Sequence, residues 1–197
     1  MSKGEETKER IIQQAAELFN QQGYAGSSIS DLMRVTGLQK GGIYNHFKSK
    51  DELSLQAFDY AIGQIRNYYR AAWKNKRHAI ERLMAIIDVF RHYTNNPIIP
   101  GGCPMLNTAV ESDDGNPILR ERAQKAMDSW RELFRQIINK GIQRREIRPN
   151  IDADEVASII ISTLEGAVMM SGLYKDGIHI ERAIKHLSNY LERDLRL

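Results

Sequence analysis

Within "KGGIYNHF", residues 40–47, four side chains able to donate hydrogen bonds, Lys40, Tyr44, Asn45 and His46, surround two adjacent glycines, Gly41 and Gly42. Donors of these types meet phosphate oxygens and base edges, and glycine removes the side chain that would hold helix backbone away from them. The glycines cost something: each weakens a helix by about 1 kcal/mol relative to alanine. A bare surface ringed by donors offsets that cost when an anionic partner has to approach the backbone. Projected at the helical period, Ile43 and Phe47 share one face, while Gly41, Gly42 and Asn45 lie opposite, flanked by Tyr44 and His46. That outward face holds no acid. Lys50 adds a positive charge in the first turn of the next helix, beside unpaired backbone amides that suit a phosphate.

The second residue type with chemistry to offer is Cys103, the single cysteine. It follows Gly101 and Gly102 just ahead of a helix start, where backbone amides can lower a thiol pKa, so sensing of electrophiles or oxidants is one reading and a small buried hydrophobe the other. One cysteine excludes an intrachain disulfide and a zinc site built from several thiolates, and no cofactor is expected. A helical enzyme with Cys103 as nucleophile would need a general base. His78, His92, His179 and His186 are scattered without a partner motif, so no enzyme is expected. A helical module that binds protein through the "KGGIYNHF" face is the remaining alternative.

The elements that must carry these residues are helices. The five prolines, at 97, 100, 104, 117 and 149, stand outside the periodic stretches, and no sustained period-two alternation predicts a strand. Ile11, Ile12, Ala15, Leu18 and Phe19 make one face of a helix over about 5–22, stopped by Gly23. Ser28 with Asp31 is a capping box for a short helix, "TGLQK" turns the chain, and a third helix covers about 40–47. Ser49 with Glu52 caps a long helix. Later stretches predict helices over 78–93, 104–112, 117–145, 153–174 and 180–196, with a break at "DDGNP". The fold class is all-α, with about nine helices. Residues 1–50 form a helix-turn-helix domain, reaching about 66 with the connecting helix, and residues 67–197 form a second domain.

Composition fits this plan. The chain has 197 residues, 42% hydrophobic and 27% charged, with a formal charge of +3. Residues 1–70 hold nine Lys/Arg against eight Asp/Glu, so any case for DNA rests on placement rather than total charge. The N-terminal "MSKGEETKERIIQQAAELF" lacks the apolar run of a signal peptide, and cytoplasmic residence is the expectation. Val156 to Tyr174 is the most apolar run, but Glu165 at its centre and four hydroxyl residues predict a buried helix rather than a membrane span.

"SSISDLMRVTGLQKGGIYNHFKSKDEL", preceded by "IIQQAAELFNQQGYAGSS", resembles the DNA-binding domain of the TetR family of transcriptional regulators over about sixty residues. The pattern G-[VL]-x-K-[GA]-x-[IL]-Y-x-H-F-x-[SN]-K-[ED]-x-L fixes residue types across helices and turns. The resemblance implies that Ser28, Tyr44, His46 and Lys50 hold DNA phosphates, and that Lys40, Gly41, Gly42 and Asn45 face the major groove. Gln39 stands where the family usually has Ser or Thr, and Gly42 where Thr, Ser or Ala is commoner. Gln39 and Asn45 can each pair bidentately with adenine. "GGCPMLNTAVE" is similar to a glycine and cysteine motif of some subgroups.

The same resemblance implies a homodimer through the last two helices, bound to a near-palindromic operator in double-stranded DNA. Its output would be repression, released by an unknown small-molecule or thiol-reactive effector. Ser158, Ser162 and Gly166 recur at four-residue spacing and fit close helix approach at that dimer contact. Met84, Phe90, Met105, Met127, Trp130, Phe134 and Met169 are candidate pocket walls, with plain core as the competing reading. Glu165 is a candidate polar partner for the effector, and Cys103 the candidate sensor thiol.

Overall fold

The computed structural model describes residues 2–113 and 115–197; Asp114, in the "DDGNP" break, lies outside the described residues. The chain forms two compact units: Met1–Ile65 with Ile98–Gln124, and Arg66–Pro97 with Lys125–Leu197. Residues 98–124, assigned by sequence to the C-terminal domain, thus pack in the first unit.

In the first unit, α1 (Lys3–Gln22) starts at a reciprocal capping box between Ser2 and Glu5. A second such box, Ser28 with Asp31, starts α2 (Ile29–Thr36). Each satisfies amides the first turn leaves unpaired. Helix α2 ends at Gly37, whose φ of 68° is the left-handed conformation a side chain disfavours. After the turn comes α3 (Lys40–Tyr44), shorter than the helix expected over 40–47: the His46 amide closes a tighter turn on Ile43, and Ser49 then caps α4 through the Glu52 amide. Glu52 reaches back to the Lys48 amide rather than to that of Ser49. Phe47 is buried all the same, with Ile11, Ala15, Leu32, Ile43, Leu53 and Ala57 in one core.

Helix α4 (Lys50–Trp73) carries the division between units inside it, after Ile65. In the second unit α5 (Ala79–Asp88) runs through a 3₁₀ turn, Val89–Arg91, into one further turn, α6 (His92–Asn95); the sequence pattern reads these as one helix, which gives nine among the described residues. Helix α7 (Pro104–Ser112) belongs to the first unit, and α8 (Pro117–Gln143) passes from the first to the second after Gln124. Asp152 caps α9 (Ala153–Tyr174), and α10 (Ile178–Tyr190) unwinds into a π turn, Leu191–Leu195. Among the described residues there is no strand, only one bridge between Ile147 and Arg196.

Helix α9 is long and apolar enough to cross a membrane, yet half of its most apolar window is buried within the protein. Val156, Ile160, Leu164 and Val168 pack inward with Ile180, Ile184 and Leu187 of α10, which is the stripe of a core helix.

Candidate nucleic-acid interface

The helix-turn-helix is held from behind. Thr36 is buried, donating its hydroxyl to the Leu32 carbonyl within α2 while accepting from the Leu38 amide, which ties the start of the turn to the end of α2. Leu38 tucks beneath α3: a Cβ at Gly42 would meet its Cβ at 3.5 Å, an ordinary contact. Ile43 and Phe47 are 1% and 2% exposed, which fixes the roll of α3 about its own axis.

The outward side follows from that roll. A Cβ at Gly41 would meet nothing within 4 Å, so this position lies bare to solvent as the sequence pattern requires. Gln39 occupies the N-cap position without a side-chain capping bond, and Gln39, Lys40 and Asn45 are exposed. Tyr44 and His46 are half-buried. The Lys40 ammonium stands 5.9 Å from the Tyr44 ring centroid, a loose contact that leaves both polar ends available. Gln39, Lys40, Gly41 and Asn45 are therefore presented together on one surface, whereas Gly42, expected to face outward with Gly41, turns its Cβ position toward Leu38 because the next residue, Ile43, is held in the core.

Ser28 and Lys50 are more constrained. The Ser28 hydroxyl and amide both donate to the Asp31 carboxylate, at 2.6 and 2.9 Å, so a phosphate there must take a donor from Asp31. Those two bonds, the hydroxyl first, then Arg34, lower the Asp31 pKa to about 2. Lys50, half-buried, donates to the Tyr24 carbonyl and lies 4.2 Å from the Tyr24 ring centroid. Burial lowers its pKa, and the Glu111 carboxylate opposes that shift. An ammonium has three donors, so the remaining ones can meet a phosphate. Tyr24 gave no signal by motif chemistry; the "GY" after α1 was legible only as a family feature.

The candidates for the effector site fall in both units. Phe90, Trp130 and Phe134 cluster in the second unit with Tyr69: the Trp130 ring is nearly parallel to Phe90 (7°) and Tyr69 (14°), with centroids 5.9 Å away in both cases. The buried Trp130 Nε1 has no hydrogen-bond partner among the described residues. Met84 lies elsewhere, on an open groove of about 830 Å³ with Tyr68, Ala72, Val89, His92 and Ile184. Met127 is half-buried on α8, and Glu165 is buried in α9. Met169 is 56% exposed, on the outer face of α9. Cys103 and Met105 belong to the first unit, where both are buried at the start of α7.

A tight turn between α2 and α3, a buried brace behind α3 and a bare, acid-free, donor-rich surface in front define a helix-turn-helix DNA-binding protein. Residues 11–57 match the family described as "Bacterial regulatory proteins, tetR family", and residues 79–187 match "Tetracyclin repressor-like, C-terminal domain". A solved TetR transcriptional regulator from Chloroflexus aurantiacus is 50% identical over all of both chains, with a TM-score of 0.97. One from Cytophaga hutchinsonii is 33% identical, covering 100% of this chain and 98% of that one, with a TM-score of 0.91. An uncharacterised HTH-type transcriptional regulator of Mycobacterium tuberculosis is 29% identical over 197 residues, 95% of each chain. The chain belongs to the TetR family of transcriptional regulators.

Proposed function

We propose that this regulator is a repressor that binds a near-palindromic operator as a homodimer and is released by a small molecule held in its C-terminal domain. The observation that carries the DNA half is the bare backbone of α3 at Gly41, ringed by exposed Gln39, Lys40 and Asn45. Backbone close to the major groove lets short side chains reach base edges, while Tyr44, His46 and Lys50 take phosphates. Repression as the output rests on the family resemblance.

A second observation supports the dimer. Along the outer side of α9 and the start of α10, Ile159, Met169, Met170, Leu173, Tyr174 and Ile178 are 38%, 56%, 39%, 72%, 64% and 40% exposed. Apolar surface of that extent marks an interaction face. A second copy would cover it, and two recognition helices about 34–36 Å apart would then read successive turns of the duplex.

For the effector, the Tyr69, Phe90 and Trp130 cluster offers an apolar wall and one unspent donor, the Trp130 indole, while the groove at Met84 offers open volume. A ligand favouring one tilt of α4 would bias the spacing of the paired recognition helices, and a coupling of about 1–3 kcal/mol weakens DNA binding roughly 5–150-fold. A thiol route is disfavoured by the 3% exposure of Cys103. On the same reading, its compartment is the cytoplasm, where bacterial operator DNA lies.

Footprinting on DNA upstream of its own and neighbouring genes, followed by titration of the protected sequence, tests the reading. Protection of a near-palindrome, with affinity falling steeply as salt rises, is the expected result. Binding no tighter than to random duplex overturns it. Replacing Cys103 with Ser should leave release unchanged; loss of release by electrophiles in that variant would establish the thiol route instead.

A further inference from the structure

The motif "PGGCPMLNTAVE" acts on the DNA-binding helices from a distance of some eighty residues in sequence. Glu111, near the end of α7, accepts hydrogen bonds through its two carboxylate oxygens from two consecutive main-chain amides, Tyr24 at 2.8 Å and Ala25 at 2.6 Å. Both belong to the turn that follows α1. One helical turn earlier, the Asn107 amide nitrogen lies 2.9 Å from the Asn20 Oδ1, 3.1 Å from the Asn20 carbonyl and 2.9 Å from the Gly101 carbonyl. Asn20 returns the contact, donating to the carbonyls of Pro100 at 2.8 Å and Gly102 at 3.0 Å.

Gly101 explains its own place in the motif: its φ is +106°, and a Cβ would sit 2.5 Å from the Asn20 carbonyl oxygen. The segment is therefore shaped to seat directly on the end of α1. What it holds there is Tyr24, and Tyr24 in turn holds Lys50, through its carbonyl and its ring. The Tyr24 hydroxyl donates to Asp51, the next residue of α4. All of these residues lie in the first unit.

We infer that Glu111 is a positioning residue for DNA binding: by fixing the Tyr24–Ala25 turn, it sets the place of the Lys50 ammonium that meets a phosphate. The inference rests on the reading of Lys50 as a phosphate ligand. A carboxylate suits the role because two parallel amides demand two acceptor oxygens, and charge-assisted bonds hold a turn more firmly than neutral ones. Glutamine keeps one acceptor and sets an NH2 group against an amide donor.

The test is a double-mutant cycle on the full chain, with Glu111→Ala, Glu111→Gln, Lys50→Ala and the Glu111→Ala/Lys50→Ala pair. Fluorescence anisotropy of a mixed-sequence duplex is measured across a salt series, with Tm recorded for each variant as the check on folding. Glu111→Ala is expected to weaken binding severalfold and to flatten the slope of log K against log salt by up to about 0.9 per protomer, one phosphate contact. Glu111→Gln should fall between it and the wild type. In the Lys50→Ala background, Glu111→Ala should change little, because its target is already gone. If Glu111→Ala costs the same affinity with and without Lys50, or costs none in the wild type, the inference is overturned. If Lys50→Ala itself leaves binding and slope unchanged, it is the phosphate reading of Lys50 that fails, and the positioning role falls with it.

Discussion

The Lys50 ammonium sits over the Tyr24 ring, 4.2 Å from its centroid, while donating to the carbonyl of the same residue. A lysine on a flexible four-carbon stem is otherwise a poorly placed charge. Here the aromatic face and the carbonyl hold it beside the start of α4, so it is pre-set for an anion. Replacing Tyr24 with Leu removes the ring and leaves the carbonyl; the contact is worth about 0.5–1 kcal/mol at an exposed site, so duplex affinity should fall about two- to fivefold. Tyr24→Phe keeps the ring and loses only the hydroxyl bond to Asp51, and should bind nearly as the wild type does. Anisotropy titrations of the two variants decide the matter: equal affinities would show that the ring does not place Lys50.

Gly41 separates stability from binding. Its Cβ position is empty, so Gly41→Ala should raise stability by up to about 1 kcal/mol, seen as a higher Tm, through helix propensity alone. The same methyl occupies the space through which α3 backbone would approach the groove, so DNA affinity should drop. Gly101→Ala should behave oppositely, lowering Tm sharply because of its positive φ and the 2.5 Å clash with Asn20. A Gly41→Ala protein that is both more stable and fully competent would remove the functional argument for the glycine.

What the sequence showed and what it hid follow from the range of the forces involved. The cap at Ser28, the Gly23 stop and the helix starts at Pro104 and Pro117 are local, and the structure has each of them. The outward face of α3 was legible because four-residue spacing decides which side chains are buried. The tightening after Tyr44 was not: burying Phe47 and capping α4 at Ser49 compete for the same few residues, and a period alone does not weigh them. Least legible was the seating of residues 98–124 on the end of α1, because the hydrogen bonds that join Asn20 to Pro100 and Asn107, and Tyr24 to Glu111, span 80 or more positions. Met169 fits an inward apolar pattern as well as an outward one, since α9 carries apolar residues on both sides; the structure turns it out.

The cap at α2 gives a pH dependence. The Asp31 pKa is lowered from the ordinary 3.8 to about 2, chiefly by the Ser28 hydroxyl and amide bonds. A carboxyl with a depressed folded-state pKa stabilises the fold fully above its unfolded value, and that stabilisation fades as pH falls from there through the folded value. Between about pH 4 and 2, then, the wild type should lose stability more steeply than Asp31→Asn, which has no charge to lose. Tm measured across that interval checks it, and parallel acid limbs would show that the Ser28–Asp31 box contributes nothing through its charge.

Leu173 is the sharpest test of the dimer. It is the most exposed of the apolar residues on the outer side of α9, at 72%, so nothing within its own chain depends on its packing. Leu173→Asp should therefore leave Tm of the isolated fold nearly unchanged while setting one carboxylate from each copy into an apolar contact, where neither has a partner. Sedimentation should show a monomer where the wild type shows a dimer. Two tethered recognition helices engage a palindrome with an effective concentration that a lone one lacks, and linkage of this kind is worth about 10²–10⁴ in affinity. Operator binding should thus fall far more than binding to a single half-site, which needs only one helix-turn-helix. A Leu173→Asp protein that remains dimeric would move the dimer contact away from α9, and with it the spacing argument for a near-palindromic operator.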